Sequence, residues 1–378
     1  MLATYGADYL AAHALSTAHA KVWRAIGACR TAALGGHVVC CDACGTTHHV
    51  YHSCRNRHCP QCQTRAKEAW LAARRRELLP VPYFHLVFTL PHVLHGLVAD
   101  HPRRLYETLF AAASSTLTEF AASARHLGGE TAFSLVLHTW KQDLGRHVHV
   151  HALVAGGALT AAGQWVSPTR GFLFPVKALS QVFRGKFVAA LTAHKNAGRI
   201  PALQAESDWH TLKNALYRHD WVVYAKQPLG GPTQVLEYLG RYTHRVAISN
   251  ERIVSIDHGE VLFRVRAEVT TGQKRTVRIA GSEFIRRFFL HVLPSGFKRI
   301  RHYGLLAPAH KTHRLAVARA ALGSPPPDPQ VVESVASFME RVARFNWDLC
   351  PQCGHGHLRM SGLLAPLRTR GAPARGPP

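Results

Sequence analysis

The chain has 378 residues, an apolar fraction of 47% and a formal net charge of +24, from 46 Lys and Arg against 22 Asp and Glu. This length and apolar content are enough to bury at least one ordinary core, which excludes an intrinsically disordered chain. The positive charge indicates a polyanionic partner, first of all nucleic acid, because each neutralised phosphate releases counterions. A basic surface without a ligand is the alternative.

The N-terminal residues and the cysteines indicate the compartment. Ionisable side chains such as Asp8, Lys21 and Arg24 interrupt any signal-peptide core, and no run of residues approaches the roughly 18 apolar residues of a membrane span. We therefore expect a cytoplasmic protein without a membrane partner. Its nine cysteines are then expected to be thiols or metal ligands rather than a disulfide framework.

The predicted elements alternate between helices and short strands. Residues 1–30 are typical of a helical lead-in, and a Cys- and His-rich segment then leads into a basic helix that ends before Pro80. The remaining predictions are a strand over 83–90, a helix over 102–127, strands over 133–140 and 147–154, a helix over 176–194, an edge strand over 221–224, a helix over 233–242, strands over 253–256, 261–265 and 275–279, and a helix over 283–292. This order predicts an α+β fold built on an antiparallel sheet.

The first cysteine-rich segment contains two C-x-x-C pairs, Cys41 with Cys44 and Cys59 with Cys62, with fourteen residues between them. Two such pairs at this separation predict one closed, structural zinc site with four thiolates, rather than buried cysteines without a metal. Competing ligands in the same segment are Cys40, His52, Cys54 and His58.

A third C-x-x-C pair lies near the end of the chain, at Cys350 and Cys353. One pair cannot close a zinc site by itself, and the spacing of the nearby His355 and His357 makes a Cys2His2 site cramped. A second zinc ion near Cys350 and Cys353 is therefore an open alternative.

A row of alternating histidines follows Arg146 in the segment RHVHVHALVAGG. The period of two in a β-strand places His147, His149 and His151 on one face, which predicts a metal site rather than a solvent-facing row. The preceding strand and turn offer further candidate ligands: His138, Gln142 and Asp143. Imidazoles alone favour zinc or another transition ion, whereas oxygen ligands favour Mg²⁺ or Mn²⁺.

Two tyrosines, Tyr238 and Tyr242, are four residues apart, so both phenols project from one face if this segment is helical. Arg241 and Arg245 form a second pair on an adjoining face. A phenol with a pKa of about 10 is a poor nucleophile at neutral pH unless a metal or a base helps to remove its proton. By itself the pair is typical of ordinary packing, but beside a metal-binding histidine strand it indicates nucleophiles.

Five segments carry a resemblance to a known family: SCRNRHCPQCQ, YFHLVFTLPH, HVHVHALVAGG, EYLGRYTHRVAISN and FIRRFFLHVLPSGFKRIRHYGLL. Together they resemble the IS91 family of insertion-sequence transposases, of the HUH endonuclease superfamily and the two-tyrosine type. The likeness runs from about Cys41 to Leu306. It implies a ferredoxin- or RRM-like antiparallel sheet flanked by helices, with the histidines on a central strand. It also implies Mg²⁺ or Mn²⁺ at His149 and His151 and attack on DNA by Tyr238 or Tyr242.

The expected function is therefore a DNA transposase that nicks and transfers single strands through a 5′-phosphotyrosine in rolling-circle type transposition. Its partners would be single-stranded or hairpin element ends, and no nucleotide cofactor is needed because the covalent link keeps the phosphodiester energy. The alternatives are a plasmid rolling-circle replication initiator or relaxase, and a non-catalytic zinc-dependent DNA-binding regulator. The residues expected to contact DNA are Arg55, Arg57, Arg241, Arg245, Arg286, Arg287, Lys298, Arg299 and Arg301.

The predicted organisation follows these motifs. A proline-rich linker at 325–327 and a Pro/Gly/Arg/Ala-rich tail over 362–378 mark the C-terminal part. The five predicted parts are a helical lead-in (1–30), a zinc-binding domain with a basic helix (31–80), a catalytic domain (81–250), a small β-meander plus helix for DNA binding (251–322), and a linker with the third cysteine pair and a disordered tail (323–378).

Overall fold

The computed structural model describes residues 1–169, 173–226, 233–234, 236–237, 240, 247–265, 275–329, 333–343, 346 and 348–367. Its α-helices are α1 Leu2–Ala12, α2 Thr17–Gly27, α3 Thr64–Arg75, α4 His95–Asp100, α5 Pro102–Ala122, α6 Val176–Asn196, α7 Glu206–Arg218, α8 Gly281–Phe289, α9 Lys311–Ala321 and α10 Val335–Ala343. Its strands are β1 Gly36–Cys41, β2 Thr47–Tyr51, β3 Tyr83–Thr89, β4 Ala132–Trp140, β5 Arg146–Ala155, β6 Ala158–Leu159, β7 Trp165–Val166, β8 Val223–Lys226, β9 Ile253–Asp257, β10 Glu260–Val265, β11 Arg275–Ala280, β12 Ile300–Gly304 and β13 Leu358–Leu364. Single turns of 3-10 helix lie at Ala32–Leu34, His92–Leu94, Pro201–Leu203 and Asn250–Arg252.

The chain divides into two compact units, one of residues 1–66 with 329–378 and one of residues 67–328. In the first unit, β1 lies between β2 and β13 in an antiparallel sheet. Strand β13 includes Gly362, whose Pro/Gly/Arg/Ala-rich surroundings predict a disordered tail over 362–378. Gly362 pairs with Val38 of β1 instead, so part of that tail gains backbone hydrogen-bond partners from the N-terminal strand.

The second unit contains a five-stranded antiparallel sheet in the order β12-β4-β5-β3-β8. Strand β5 lies in the middle and pairs with β4 on one side and β3 on the other. Its even-numbered residues, such as Val148 and Val150, are fully buried in the larger core, and its odd-numbered residues face the other way. The predicted α+β fold, with the histidines on a central strand, is confirmed.

Helices α5 and α6 cover the valine face of this sheet. Pro102 occupies the first turn of α5, where its fixed φ suits a helix start. Leu105 and Leu109 recur at helical spacing and are fully buried. From α6, Phe183 packs edge-on against Phe88 of β3 at 5.1 Å between ring centroids. Truncating such a buried ring to alanine costs about 3–5 kcal/mol, so this layer contributes strongly to holding β3 and β5 in place.

A second apolar cluster covers part of the opposite face, on which the odd-numbered residues of β5 lie. It joins Leu153 of β5 to Leu71 of α3, Leu315 of α9 and Leu236. The sheet is therefore flanked by helices on both faces, and the described part of the 233–240 segment belongs to the histidine face.

Most predicted elements of the second unit are present, including the separate sheet β11-β10-β9 followed by α8. Strand β12 was not predicted. Its sequence, IRHYG, is short and basic, and its arginine was predicted to contact DNA. It completes the edge of the main sheet by pairing with β4. Among the described helices, none is both long enough and apolar enough to cross a membrane.

Candidate functional site

Three buried histidines converge on the face of the main sheet that α3 and Leu236 also cover. His149 and His151 come from β5 and His138 from β4, and their side chains are 8%, 7% and 3% exposed. The Nε2 atom of His151 lies 2.9 Å from Nδ1 of His138 and 3.0 Å from Nε2 of His149. Imidazole nitrogens that bind one ion at about 2.1 Å lie roughly 3.0–3.4 Å apart. The three nitrogens therefore fit a single cation, and we call them the histidine trio.

His147, a ligand predicted from the alternation of histidines in β5, does not belong to the trio. Its ring centroid is 4.8 Å from that of His149, but its side chain is only partly buried and lies nearer the start of β5. His138 takes the third position because it lies directly opposite His149 in the β4–β5 pairing. The structure brings the predicted His149 and His151 together and adds His138, one of the alternative candidate ligands, whereas His147 lies outside this group.

Burial keeps the trio in the neutral form that binds metals. Desolvation is the largest cause of the low pKa of each ring and lowers the pKa of His149 to about 3. The pKa values of His138 and His151 are also held well below the ordinary value by burial, and neighbouring imidazoles lower them further. The rings therefore offer lone pairs at neutral pH, and protons do not compete with a cation.

A fourth histidine, His85, lies on the neighbouring strand β3 and contacts His151 of the trio. Its Nε2 atom lies 2.7 Å from Nδ1 of His151, and the two rings stack at 5.0 Å. A cation bound at Nε2 of His151 would leave the ring proton on Nδ1, which would then donate to Nε2 of His85. Metal-binding histidines commonly donate their second N–H to such a partner, which fixes the ring orientation and the tautomer. His85 is therefore placed to hold the ring of His151 in position.

We expect His85→Phe to weaken Mn²⁺ binding by about 10- to 100-fold, because phenylalanine keeps the ring but removes the acceptor nitrogen. Calorimetric titration of the metal-stripped protein measures this directly. His126→Phe is the matched control. His126 stacks on Phe120, which belongs to the larger core on the valine face of the sheet, away from the trio. Equal Mn²⁺ affinity in wild type and His85→Phe would contradict the positioning role.

The predicted DNA-contacting residue Arg299 lies beside the trio rather than on the surface. It is 6% exposed, its guanidinium carbon is 6.0 Å from the Trp140 ring, and its charge contributes to the low pKa of His138. Arg301 points to the other side of the sheet, where its guanidinium lies 4.3 Å from the centre of the Phe110 ring. The two residues therefore occupy different environments.

The other predicted basic contacts in the described residues differ in how they are paired. Arg286 and Arg287 both donate to Glu283 and hold the pKa of that carboxyl at about 2. Arg287 also donates to the backbone oxygen of Asp143, in the turn between β4 and β5. The side chains of the remaining three are exposed or half-buried: Arg55, Arg57 and Lys298.

Four predicted site residues lie outside the described residues: Tyr238, Arg241, Tyr242 and Arg245. The described positions next to them, Glu237 and Gly240, are helical. A Cβ at Gly240 would lie 2.7 Å from the Leu71 side chain, and Glu237 accepts a hydrogen bond of 2.8 Å from Arg75. Both contacts are with α3.

Eight cysteines form two separate groups of four in the first unit. The Cys29 cluster consists of Cys29, Cys54, Cys59 and Cys62, and the Cys41 cluster of Cys41, Cys44, Cys350 and Cys353. In the Cys29 cluster, sulfur–sulfur distances are 3.6 and 3.7 Å. A tetrahedral zinc site with Zn–S bonds of about 2.3 Å separates its sulfurs by about 3.8 Å. The Cys29 cluster therefore fits a structural zinc ion.

The single zinc site predicted from Cys41, Cys44, Cys59 and Cys62 is thus corrected. The two predicted pairs lie in different clusters, because Cys29 and Cys54 complete the second pair and the C-terminal cysteines complete the first. Cys54 was among the competing ligands, but Cys29 was not recognised. His355 and His357 are not part of either group. Nδ1 of His357 lies 3.1 Å from the Asp348 carboxylate, and Nδ1 of His355 lies 2.8 Å from the backbone oxygen of Cys353.

Comparison with solved structures finds complexes of a conjugative relaxase, among them the following two. "Conjugative Relaxase TrwC in complex with mutant OriT Dna" is 15% identical, with 46% of this chain and 68% of that chain covered and a TM-score of 0.23. The metal-bound complex of TrwC with OriT DNA is 16% identical, with 46% and 66% covered and a TM-score of 0.22. Similarity at this level carries no argument about function.

Sequence comparison is decisive for the family. The family described as "Transposase zinc-binding domain" matches residues 1–90, and the one described as "Putative transposase" matches residues 132–314. The chain is 44% identical over 368 residues to "Putative transposase y4qJ" of Sinorhizobium fredii (strain NBRC 101917 / NGR234), with 94% of this chain and 92% of that protein covered. It is 28% identical over 290 residues to "Transposase for insertion sequence element IS801" of Pseudomonas savastanoi pv. phaseolicola, with 74% and 68% covered. The chain belongs to the IS91/IS801 family of transposases.

Proposed function

We propose that this transposase nicks and joins single DNA strands with a tyrosine nucleophile, in a metal-dependent reaction of the HUH endonuclease type. The observation that carries the proposal is the histidine trio, three buried neutral imidazoles that converge on one point of the main sheet. Leu236 adds support, because it packs on that same face of the sheet and lies two residues before Tyr238. The proposed nucleophiles therefore follow a segment anchored on the trio's side.

The charge of the chain supports DNA as the substrate. With 46 basic and 22 acidic residues, the protein would neutralise many phosphates, so its affinity for DNA should fall steeply with salt. We propose that a single strand is the form cut, because an unpaired backbone can bend to bring one phosphate to the buried trio without the cost of opening a duplex. Arg241 and Arg245 are the proposed clamps on the phosphates beside the scissile bond.

In the proposed step, the oxygen of Tyr238 or Tyr242 attacks the scissile phosphorus. The tyrosine hydroxyl loses its proton, a bond forms between its oxygen and phosphorus, and the bond between phosphorus and the 3′ oxygen breaks. The 3′ oxygen takes up one proton and leaves as a 3′-hydroxyl, so the proton count is unchanged. The product is a 5′-phosphotyrosine, which a 3′-hydroxyl from another strand can reverse. Two tyrosines would allow one end to be held while another is cut, which fits rolling-circle type transposition.

When bound, a divalent cation at the trio would supply positive charge beside the scissile phosphate. The trio consists of imidazoles alone, a donor set that by itself favours zinc or another transition ion over Mg²⁺, so Mn²⁺ is proposed here from the family resemblance rather than from the ligand types. Arg299 adds a second positive charge, because it is buried next to His138. The face of the sheet around the trio is therefore suited to a phosphate.

The test is a covalent adduct. Full-length protein is incubated with single-stranded ends of its own element and Mn²⁺, and a labelled protein–DNA band is sought on a denaturing gel. We expect the adduct in the wild type and its loss in the double variant Tyr238→Phe with Tyr242→Phe, because no phenol oxygen is left to attack. Tyr217→Phe is the matched control, since Tyr217 lies on α7 with its ring half exposed and stacked against Arg184.

Two outcomes would overturn the proposal. One is the absence of an adduct with the cognate ends in the presence of Mn²⁺. The other is an adduct of undiminished yield in the double tyrosine variant, which would assign the covalent link to another side chain.

A further inference from the structure

The Cys41 cluster joins two segments more than 300 residues apart that have the same local sequence form. One is Cys41-Asp-Ala-Cys44-Gly45 and the other is Cys350-Pro-Gln-Cys353-Gly354. The glycine after each pair has a positive φ, +70° at Gly45 and +73° at Gly354. A residue in this left-handed region lets the chain turn back around a pair of sulfurs, and glycine adopts it without strain. Both segments are therefore built as metal-binding knuckles.

Backbone pairing brings the two knuckles together. Cys41 is the last residue of β1, and it lies opposite Leu358, the first residue of β13. Beyond the strands, the Asp42 N–H donates to the His357 carbonyl at 3.0 Å, and the His357 N–H donates to the Asp42 carboxylate at 2.7 Å. The relative position of the knuckles is thus set by hydrogen bonds between the two segments, independently of the sulfurs.

The sulfur positions match zinc rather than disulfides. Cys41 Sγ lies 3.7 Å from Cys353 Sγ, and Cys44 Sγ lies 3.8 Å from Cys350 Sγ. A disulfide requires about 2.05 Å, whereas tetrahedral zinc thiolates are separated by about 3.8 Å. The distances across the two knuckles are therefore those of a zinc site.

Backbone donors and a glycine complete the environment of the sulfurs. The N–H groups of Ala43 and Cys44 point at Cys41 Sγ at 3.4 and 3.5 Å, and the Gly356 N–H points at Cys353 Sγ at 3.3 Å. Such donors stabilise negative charge on sulfur. A Cβ at Gly356 would collide with Cys41 Sγ, so only glycine leaves room for the four sulfurs to approach.

We propose that the Cys41 cluster binds a second structural zinc ion, distinct from the one that the Cys29 cluster fits. The matched zinc-binding domain, residues 1–90, contains the whole Cys29 cluster but only half of the Cys41 cluster. The second site therefore depends on Cys350 and Cys353, and its zinc ion would join the N-terminal knuckle to the C-terminal one. The zinc fastens β13 to β1, so the C-terminal segment is a structural part of the first unit.

The test counts zinc in purified full-length protein by mass spectrometry of the metal. We expect the double variant Cys350→Ser with Cys353→Ser to contain one zinc ion per chain fewer than the wild type. The double variant Cys29→Ser with Cys59→Ser should also lose one zinc ion, and the two losses should add.

Metal bound at the histidine trio cancels in this comparison, because all variants keep the trio. Cys40→Ser is the control: Cys40 belongs to neither cluster, and its zinc content should equal that of the wild type. An unchanged zinc content in the Cys350/Cys353 variant would overturn the proposal.

A second variant keeps the proposal testable if the double serine variant fails to fold. Cys353→His retains a side chain that can bind zinc in a Cys3His site, so its metal content should stay at the wild-type level. In cobalt-substituted protein, its sulfur-to-metal charge-transfer absorption should fall by about one thiolate relative to the wild type. An identical cobalt spectrum in the two proteins would show that Cys353 is not a ligand, and would overturn the proposal as well. Neither result depends on DNA cleavage, so the proposed nicking reaction can fail without affecting it.

Discussion

Replacing His149 with alanine is expected to abolish Mn²⁺ binding and to lower the rate of strand nicking by about 10³-fold or more. The reason is that metal stabilisation of charge in a transition state contributes several kcal/mol, and each 1.36 kcal/mol changes a rate about tenfold. Mn²⁺ affinity is measured by calorimetry and nicking by single-turnover formation of the covalent adduct. Normal nicking in His149→Ala would exclude the trio from the reaction.

The third ligand gives a sharper version of this experiment. His138→Ala should lose Mn²⁺ binding as completely as His149→Ala, because Nδ1 of His138 lies 2.9 Å from Nε2 of His151. His147→Ala is the matched control on the same strand and should change the affinity only a few-fold. If His147→Ala were the more damaging of the two, the trio would have to be redrawn with His147 in place of His138.

The choice between His138 and His147 could not be made from the sequence, and the reason is one irregularity in strand pairing. Trp140 lies opposite Arg146, whereas His138 lies opposite His149, so the register shifts by one residue between the two pairs. A shift of one residue turns a side chain to the other face of the sheet. In a regular hairpin, His138 would pair with Val148 and point into the core. The periodicity of β5 alone was enough to place His149 and His151 together.

The cysteine clusters show a different limit. The spacing of Cys41, Cys44, Cys59 and Cys62 is suited to a single zinc site, and only the pairing of β1 with β13 shows which pair meets the C-terminal one. One signal was present in the sequence: Cys44 and Cys353 are both followed by glycine, whereas Cys62 is followed by Gln63. The glycine that follows both Cys44 and Cys353 therefore indicated which two C-x-x-C pairs meet in one cluster. Cys29 carries no such mark, since it stands alone just after α2.

Two further histidines outside the trio, the buried His291 and the half-buried His302, link the stability of the second unit to pH. His291 is 1% exposed, donates from Nε2 to the Leu144 carbonyl at 2.9 Å and accepts from the Thr139 hydroxyl at 3.1 Å. His302 lies between Ser134 and Arg74, at 2.7 and 2.9 Å. Burial is the main cause of the low pKa of both rings, about 4 for each. Their hydrogen bonds satisfy the neutral form and leave no place for a second ring proton.

The sign of the pH effect follows from these values. The unfolded chain binds a proton at each histidine near pH 6.5, whereas the folded unit binds it near pH 4. Between these values the unfolded state holds more protons, so folding stability is complete above pH 6.5 and is lost as the pH falls toward 4. For His291, the loss between pH 7 and pH 5 amounts to about 2 kcal/mol.

We therefore expect the unfolding free energy of the second unit to fall between pH 7 and pH 5, and His291→Gln to reduce that fall by about 2 kcal/mol. Glutamine can donate to Leu144 and accept from Thr139, but it does not titrate. Hydrogen exchange of peptides from β4 and β5 is the appropriate measurement, because it reports on this unit and not on protonation of the cysteine clusters. His313→Gln, at an exposed position of α9, should keep the full pH dependence of the wild type. The role of His291 would be refuted by an equal pH dependence in His291→Gln and wild type, since its burial as a neutral ring is the sole source of the expected difference between them.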